Sequence, residues 1–185
     1  AAELRHTLIS SFDIVVVPRK APDLQRARLL FAENCAACHG VGGQGDGPQA
    51  LGMEPPATDF TDAARYDQRT LYGLYSTITA GVDDTPMRGF QELSEDDRWS
   101  LAFYAGSLAA DTAASAAGKI HIAANIPAST LTELRRFSVT TPMEARAEYG
   151  DAGAEVMAYL RSHPDNLFAN ASPLDFARET LSASL

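Results

Sequence analysis

The two cysteines of this chain lie three positions apart, and a histidine follows at once: Cys35-Ala36-Ala37-Cys38-His39. At helical pitch, residues i and i+3 share a face. Both thiols then reach the two vinyl groups of one haem and form thioethers, with His39 held beneath the iron as an axial ligand. Other chemistries of a cysteine pair need partners that the sequence lacks. A dithiol redox motif belongs in a βαβ setting, and a structural zinc site needs further ligands at clustered spacing. His6, His121 and His163 are scattered along the chain. With both cysteines committed to thioethers, no disulfide framework is expected.

The second axial position separates electron transfer from catalysis at iron. Met53, Met87, Met143 and Met157 compete for it. Met87, in Thr85-Pro86-Met87-Arg88-Gly89-Phe90, stands 48 positions after His39, enough for one loop and one helix to pass around a haem. Met53 is only 14 positions on, Met143 belongs to a helix-start signal, and Met157 lies on an apolar stripe with Ala154 and Leu160. Met87 is therefore the expected ligand. His/Met ligation closes both axial positions and raises the reduction potential relative to bis-nitrogen ligation. The expected chemistry is single-electron carriage rather than catalysis at the haem; an enzyme or gas sensor would require Met87 to be absent or labile. A carbonyl of the Pro55-Pro56 segment is expected to accept the His39 ring N–H and fix the imidazole. Tyr66, Arg65, Arg69, Arg88 and Trp99 are candidates to hydrogen-bond the haem propionates.

The elements that must position these groups are helical. Asp23 to Asn34 reads as an amphipathic helix, with Leu24, Ala27, Leu30 and Phe31 on one face. The Gly- and Pro-dense stretch 40–65 predicts a long ordered loop, of a length that makes sense if it wraps a cofactor. A second helix is expected from Asp67 or Gln68 to Ala80, stopped by Gly81. A third opens at Ser94, with Asp97 completing a capping-box-like pair, and carries Trp99, Leu101, Ala102, Phe103 and Gly106. The Ala-rich run 109–117 would prolong it until Gly118 ends it. Beyond lie shorter helices: one after Thr130, one opened by the capping box Thr141-Pro142-Met143-Glu144, one over Asp151 to Arg161, and one starting at Ser172-Pro173. That last helix reaches Leu185 with no stop signal, so the chain is expected to continue. The predicted organisation is an N-terminal segment (1–22), a haem domain (23–110) and a helical extension or linker (111–185).

Composition narrows the partners. The formal charge is −9 and the pI about 4.8, which excludes a nucleic-acid binder dependent on Lys and Arg and favours a basic protein or a cation. The longest apolar run, Ile14 to Val17, stops at Pro18, far short of a membrane span. Covalent haem implies export, so a mature periplasmic segment is expected.

Two stretches carry a family resemblance. One joins Cys38-His39-Gly40 to Gly45-Asp46-Gly47-Pro48 and Pro55-Pro56-Ala57-Thr58-Asp59-Phe60-Thr61-Asp62. The other runs from Gln68-Arg69-Thr70-Leu71-Tyr72-Gly73-Leu74-Tyr75 through Ile78-Thr79, Gly81-Val82 and Leu93-Ser94 to Asp97-Arg98-Trp99. Together they resemble the cytochrome c domain fused to bacterial iron permeases of the high-affinity iron transporter family. Ala158-Tyr159-Leu160-Arg161, His163-Pro164 and Pro173-Leu174-Asp175-Phe176-Ala177-Arg178 are similar to the linker of those fusions. The resemblance, over roughly residues 28–185, implies an all-α class I cytochrome c fold, three main helices and long loops around one haem c, plus a small helical C-terminal extension. It also implies a periplasmic module tethered through a membrane permease domain, taking electrons from ferrous iron. Two departures stand out: a short N-terminal segment, and Arg88 after Met87 where such proteins often have Pro. An electron-transfer domain of another respiratory or dehydrogenase complex is the alternative.

Overall fold

In the computed structural model, the described residues are 16–124 and 133–169, together with Leu4, Thr7, Ser11 and Leu131. The expected helix starts at Thr130 and Ser172 lie outside them. Among the described residues the structure is helical, and one isolated bridge, Gly81 to Arg88, is the sole β pairing.

The elements begin where side chains can cap them. Helix α1 (Leu24–Asn34) is opened by Asp23, whose carboxylate accepts from the Arg26 N–H at 3.0 Å. A one-turn helix, α2 (Ala36–His39), holds the cysteine motif, and another, α3 (Ala63–Tyr66), closes the long loop. Helix α4 (Leu71–Ala80) starts later than the periodicity predicts. Thr70 supplies the cap, its hydroxyl accepting from the Gly73 N–H at 2.9 Å, so residues 67–69 stay outside. Helix α5 (Glu95–Ser107) opens at Ser94 as expected. The Asp97 carboxylate does not turn back to complete a box; it takes the Arg26 guanidinium, with Nη2 at 2.9 Å.

The Ala-rich run does not extend α5. The chain turns at Leu108, and Asp111 caps a separate helix, α6 (Thr112–Ala123), which runs straight through Gly118. Gly118 is a site of close approach, not a stop: a Cβ there would collide with the Glu155 carbonyl. Helix α7 (Leu134–Val139) is followed by α8 (Pro142–Tyr149), whose capping box between Thr141 and Glu144 is fully formed. Helix α9 (Asp151–Ser162) packs along α6, and a short α10 (Pro164–Phe168) follows.

Two apolar clusters organise the fold. The larger joins Leu71, Trp99 and Phe103 of α4 and α5 to Leu134, Phe137, Val156, Met157 and Leu160 of the later helices, with Val16 and Val17. The core therefore runs without a break across residue 110. The smaller unites Leu30, Phe31, Ala36 and Leu101, ringed by partly buried Cys35, Phe60, Ile78, Leu93, Tyr104 and Leu108.

Candidate functional site, a haem attachment centre

The motif helix α2 is one turn long, so its carbonyls must find partners outside it. The glycine-rich loop supplies them. Gly45 N–H donates to the His39 carbonyl at 2.8 Å, Gly47 N–H to that of Cys38 at 3.1 Å, and Gln49 N–H to that of Ala37 at 2.8 Å. Gly47 must be glycine for this, since a Cβ would strike the Ala36 and Ala37 carbonyls. The loop thus clamps the motif before it goes on to Thr58 and Phe60.

The His39 ring is fixed on two sides. Its Nδ1 lies 3.0 Å from the Thr58 carbonyl oxygen, and a carbonyl only accepts. The proton therefore sits on Nδ1, which leaves the Nε2 lone pair for a metal. The Phe60 ring stacks on the imidazole at 4.4 Å between centroids and 24° between planes. The expected carbonyl from Pro55 or Pro56 is corrected to that of Thr58; both prolines are exposed, and the chain returns to the ring only after them. Thr58 acts through its backbone, which no side-chain pattern announces.

The cysteines are partly buried at i and i+3. Burial pushes the Cys35 thiol up to about 11, the reverse of the lowered pKa that a reactive dithiol motif needs. Around them Phe60, Ile78, Leu93 and Tyr104 are only partly buried, an apolar ring of the kind a flat macrocycle covers. The donor set and the ring fit a haem.

Met87 sits in the loop between α4 and α5. Its carbonyl accepts from Val82 N–H at 2.9 Å, its own N–H donates to the Thr85 hydroxyl at 3.2 Å, and Phe90 N–H returns to the Ile78 carbonyl at 2.9 Å. The loop is thereby tied to the C-terminal end of α4, and the Met87 side chain is half-buried. Of its rivals, Met157 is fully buried core and Met143 is exposed.

The propionate candidates do not gather in one place. Tyr66 is buried, edge-on to Phe60 at 5.7 Å, and burial raises its phenol above the usual range. Arg65 is exposed and reaches the Thr58 hydroxyl at 3.3 Å. Arg69 is exposed, and its carbonyl takes an arginine from α9. Arg88 lies over the Phe90 ring at 4.3 Å and pairs with Glu92, so its charge is balanced at the surface. Trp99 is 1% exposed in the larger cluster, stacked on Tyr75 at 4.3 Å, and its buried Nε1–H has no hydrogen-bond partner among the described residues. The acids of α5 are also engaged: Asp96 with Lys20 at 2.8 Å, Asp97 with Arg26, and Glu95 with Arg19 at 3.9 Å. Among the described residues no three His, Cys, Asp or Glu side chains are grouped to hold a metal ion.

Residues 24–109 match the family model described as Cytochrome c. This segment is a class I c-type cytochrome domain with an all-α fold, and it binds one haem c covalently through Cys35 and Cys38. Its chemistry is electron transfer with a redox partner. No curated protein matches the sequence. Among solved structures, a chain of the reducing HAO-like protein complex of Kuenenia stuttgartiensis is similar at 21% identity and a TM-score of 0.42. The likeness covers 66% of this chain and 66% of that one, just under two thirds. Among the described residues no helix is long and apolar enough to cross a membrane.

Proposed function

We propose that this chain is a periplasmic single-electron carrier whose iron is held by His39 and Met87, and that it serves an iron permease by accepting the electron of ferrous iron. The observation that carries the ligation reading is the 3.0 Å contact from His39 Nδ1 to the Thr58 carbonyl, which commits Nε2 to the metal side. Met87 supplies the second ligand from a loop tied to the C-terminal end of α4. Haem supplies a one-electron couple at a closed iron when bound. The protein's own part is to hold the imidazole in one tautomer, keep the ring from turning by the Phe60 stack, and cover the macrocycle with Ile78, Leu93 and Tyr104. Fixed ligands in both oxidation states keep the rearrangement that accompanies electron transfer small.

The role in iron uptake rests on the resemblance over residues 28–185. In that reading residues 23–110 are the cytochrome module, and 111–185 lead toward a membrane domain that tethers it. Mixing the ferric holoprotein anaerobically with ferrous iron, alone and with periplasmic extract, and recording the haem spectrum tests this. Reduction is expected. A haem that reduces normally with ascorbate yet never with ferrous iron refutes the iron role and leaves electron carriage intact.

A further inference from the structure

The turn between α3 and α4, residues 67–70, is held by partners far along the chain. The Asp67 carbonyl accepts from the Met143 N–H at 2.9 Å, a first-turn donor that α8 cannot use itself. The Asp67 carboxylate takes Arg146 Nη1 at 2.6 Å. The Arg69 carbonyl takes Arg161 Nη2 of α9, also at 2.6 Å. These grips all come from helices after residue 110. Inside the turn the Arg69 N–H closes back on the Tyr66 carbonyl at 3.2 Å, so what fixes Arg69 also fixes Tyr66.

Tyr66 in turn bears on the haem centre. It is 3% exposed, and its ring meets Phe60 edge-on at 5.7 Å with the planes 85° apart. The Phe60 N–H is tied to the Gly43 carbonyl at 2.6 Å. Its ring is flanked by Phe31 at 5.8 Å and by Tyr66, and it stacks on the His39 imidazole at 4.4 Å. Where Tyr66 stands therefore bears on the plane of the imidazole.

Arg161 is the costly member of this arrangement. It follows Met157 and Leu160 on the buried stripe of α9, is 3% exposed, and its Nε–H has no hydrogen-bond partner among the described residues. A carbonyl offers a dipole but no countercharge, and a buried cation without an anion is unfavourable. A methionine would fill that stripe at less cost. What the arginine adds is the reach to the Arg69 carbonyl.

We propose that Arg161 is a positioning residue for the axial histidine: by holding the Arg69 carbonyl it seats Tyr66 against Phe60, and the C-terminal helices thereby set the plane of the His39 ring. The inference rests on His39 as the iron ligand.

The test is ¹H NMR of the ferric, haem-loaded protein, where the iron's unpaired electron displaces the signals of the axial imidazole and the haem methyls according to the plane of the ring. Arg161→Met keeps the apolar packing and removes the donor, and both sets of signals should shift. Arg161→Lys, which keeps a donor, should stay nearer wild type. Tyr66→Leu should reproduce the Arg161→Met shift, and the double variant should add little to either, because both act through one contact. Arg146→Met releases the same turn from an exposed position. It should shift the same signals in the same direction, and it decides the matter if Arg161→Met fails to fold. Signals at their wild-type positions in folded Arg161→Met, or in Arg146→Met, overturn the proposal. So does a lowered midpoint potential with those signals unmoved, which is loss of charge alone. A wild-type protein without iron-shifted His39 signals refutes the ligation reading instead.

Discussion

Truncating Phe137 to alanine tests whether the helices after residue 110 share one core with the cytochrome domain. Phe137 is 0% exposed, and its ring lies 6.3 Å from that of Phe103 on α5, with the planes 30° apart. A phenyl side chain buried from water contributes roughly 3 kcal/mol by area, and the unfilled cavity brings the cost of Phe→Ala to about 3–5 kcal/mol. With a urea m-value on the order of 2 kcal/mol per molar, the midpoint should fall by about 1.5–2.5 M. The thermal midpoint should fall by roughly 8–15 °C. The assay is urea unfolding of the haem-loaded Phe137→Ala protein, followed by far-UV circular dichroism and by haem absorption. Both probes should move together in one transition. The reasoning fails if the haem transition stays within about 1 kcal/mol of wild type while part of the helical signal melts earlier. In that case the contacts across residue 110 would be too weak to couple the two parts.

Met87→Ala should abolish the long-wavelength ferric band of a thioether ligand, lower the midpoint potential and let added imidazole bind, all read by absorption and redox titration; an unchanged spectrum would remove Met87 from the iron. Cys38→Ser should leave a single thioether at Cys35, seen as a shifted pyridine haemochrome spectrum with the haem mass still on the chain. The Arg26 guanidinium holds the Asp97 carboxyl below its usual range, so this pair stabilises the fold at pH values above the ordinary carboxylate pKa of 3.8 and loses that contribution as the pH falls through the lower folded value. Asp97→Asn should therefore unfold more easily than wild type in urea at neutral pH, and the difference should fade in acid below 3.8; a difference that persists there would show that the pair does not titrate as argued.

Local signals carried much of the helical frame. Asp23, Ser94 and Thr141 each cap the helix that their sequence position announced, because an N-cap is satisfied within three residues and needs nothing distant. The haem-binding cysteines were legible for the same reason: both thioethers and the following histidine lie within five consecutive residues. Starts and stops that depend on packing were not. Gly118 reads as a stop in one dimension but serves as a contact point, since whether a glycine ends a helix or admits a neighbour depends on what α9 does beside it. Arg161 carried a weak signal, a charge on an apolar stripe, which a reading of faces by periodicity passed over.

What the sequence determined by itself was the chemistry of attachment and the all-helical frame, since both follow from covalent spacing and near-neighbour hydrogen bonds. Tertiary structure decided which carbonyl fixes the imidazole, how the helices on either side of residue 110 share a core, and which carbonyl receives the buried arginine of α9. Those are matters of long-range approach: Thr58 reaches His39 across 19 positions and Arg161 reaches Arg69 across 92. No local preference encodes a contact whose partners meet only after the chain has folded.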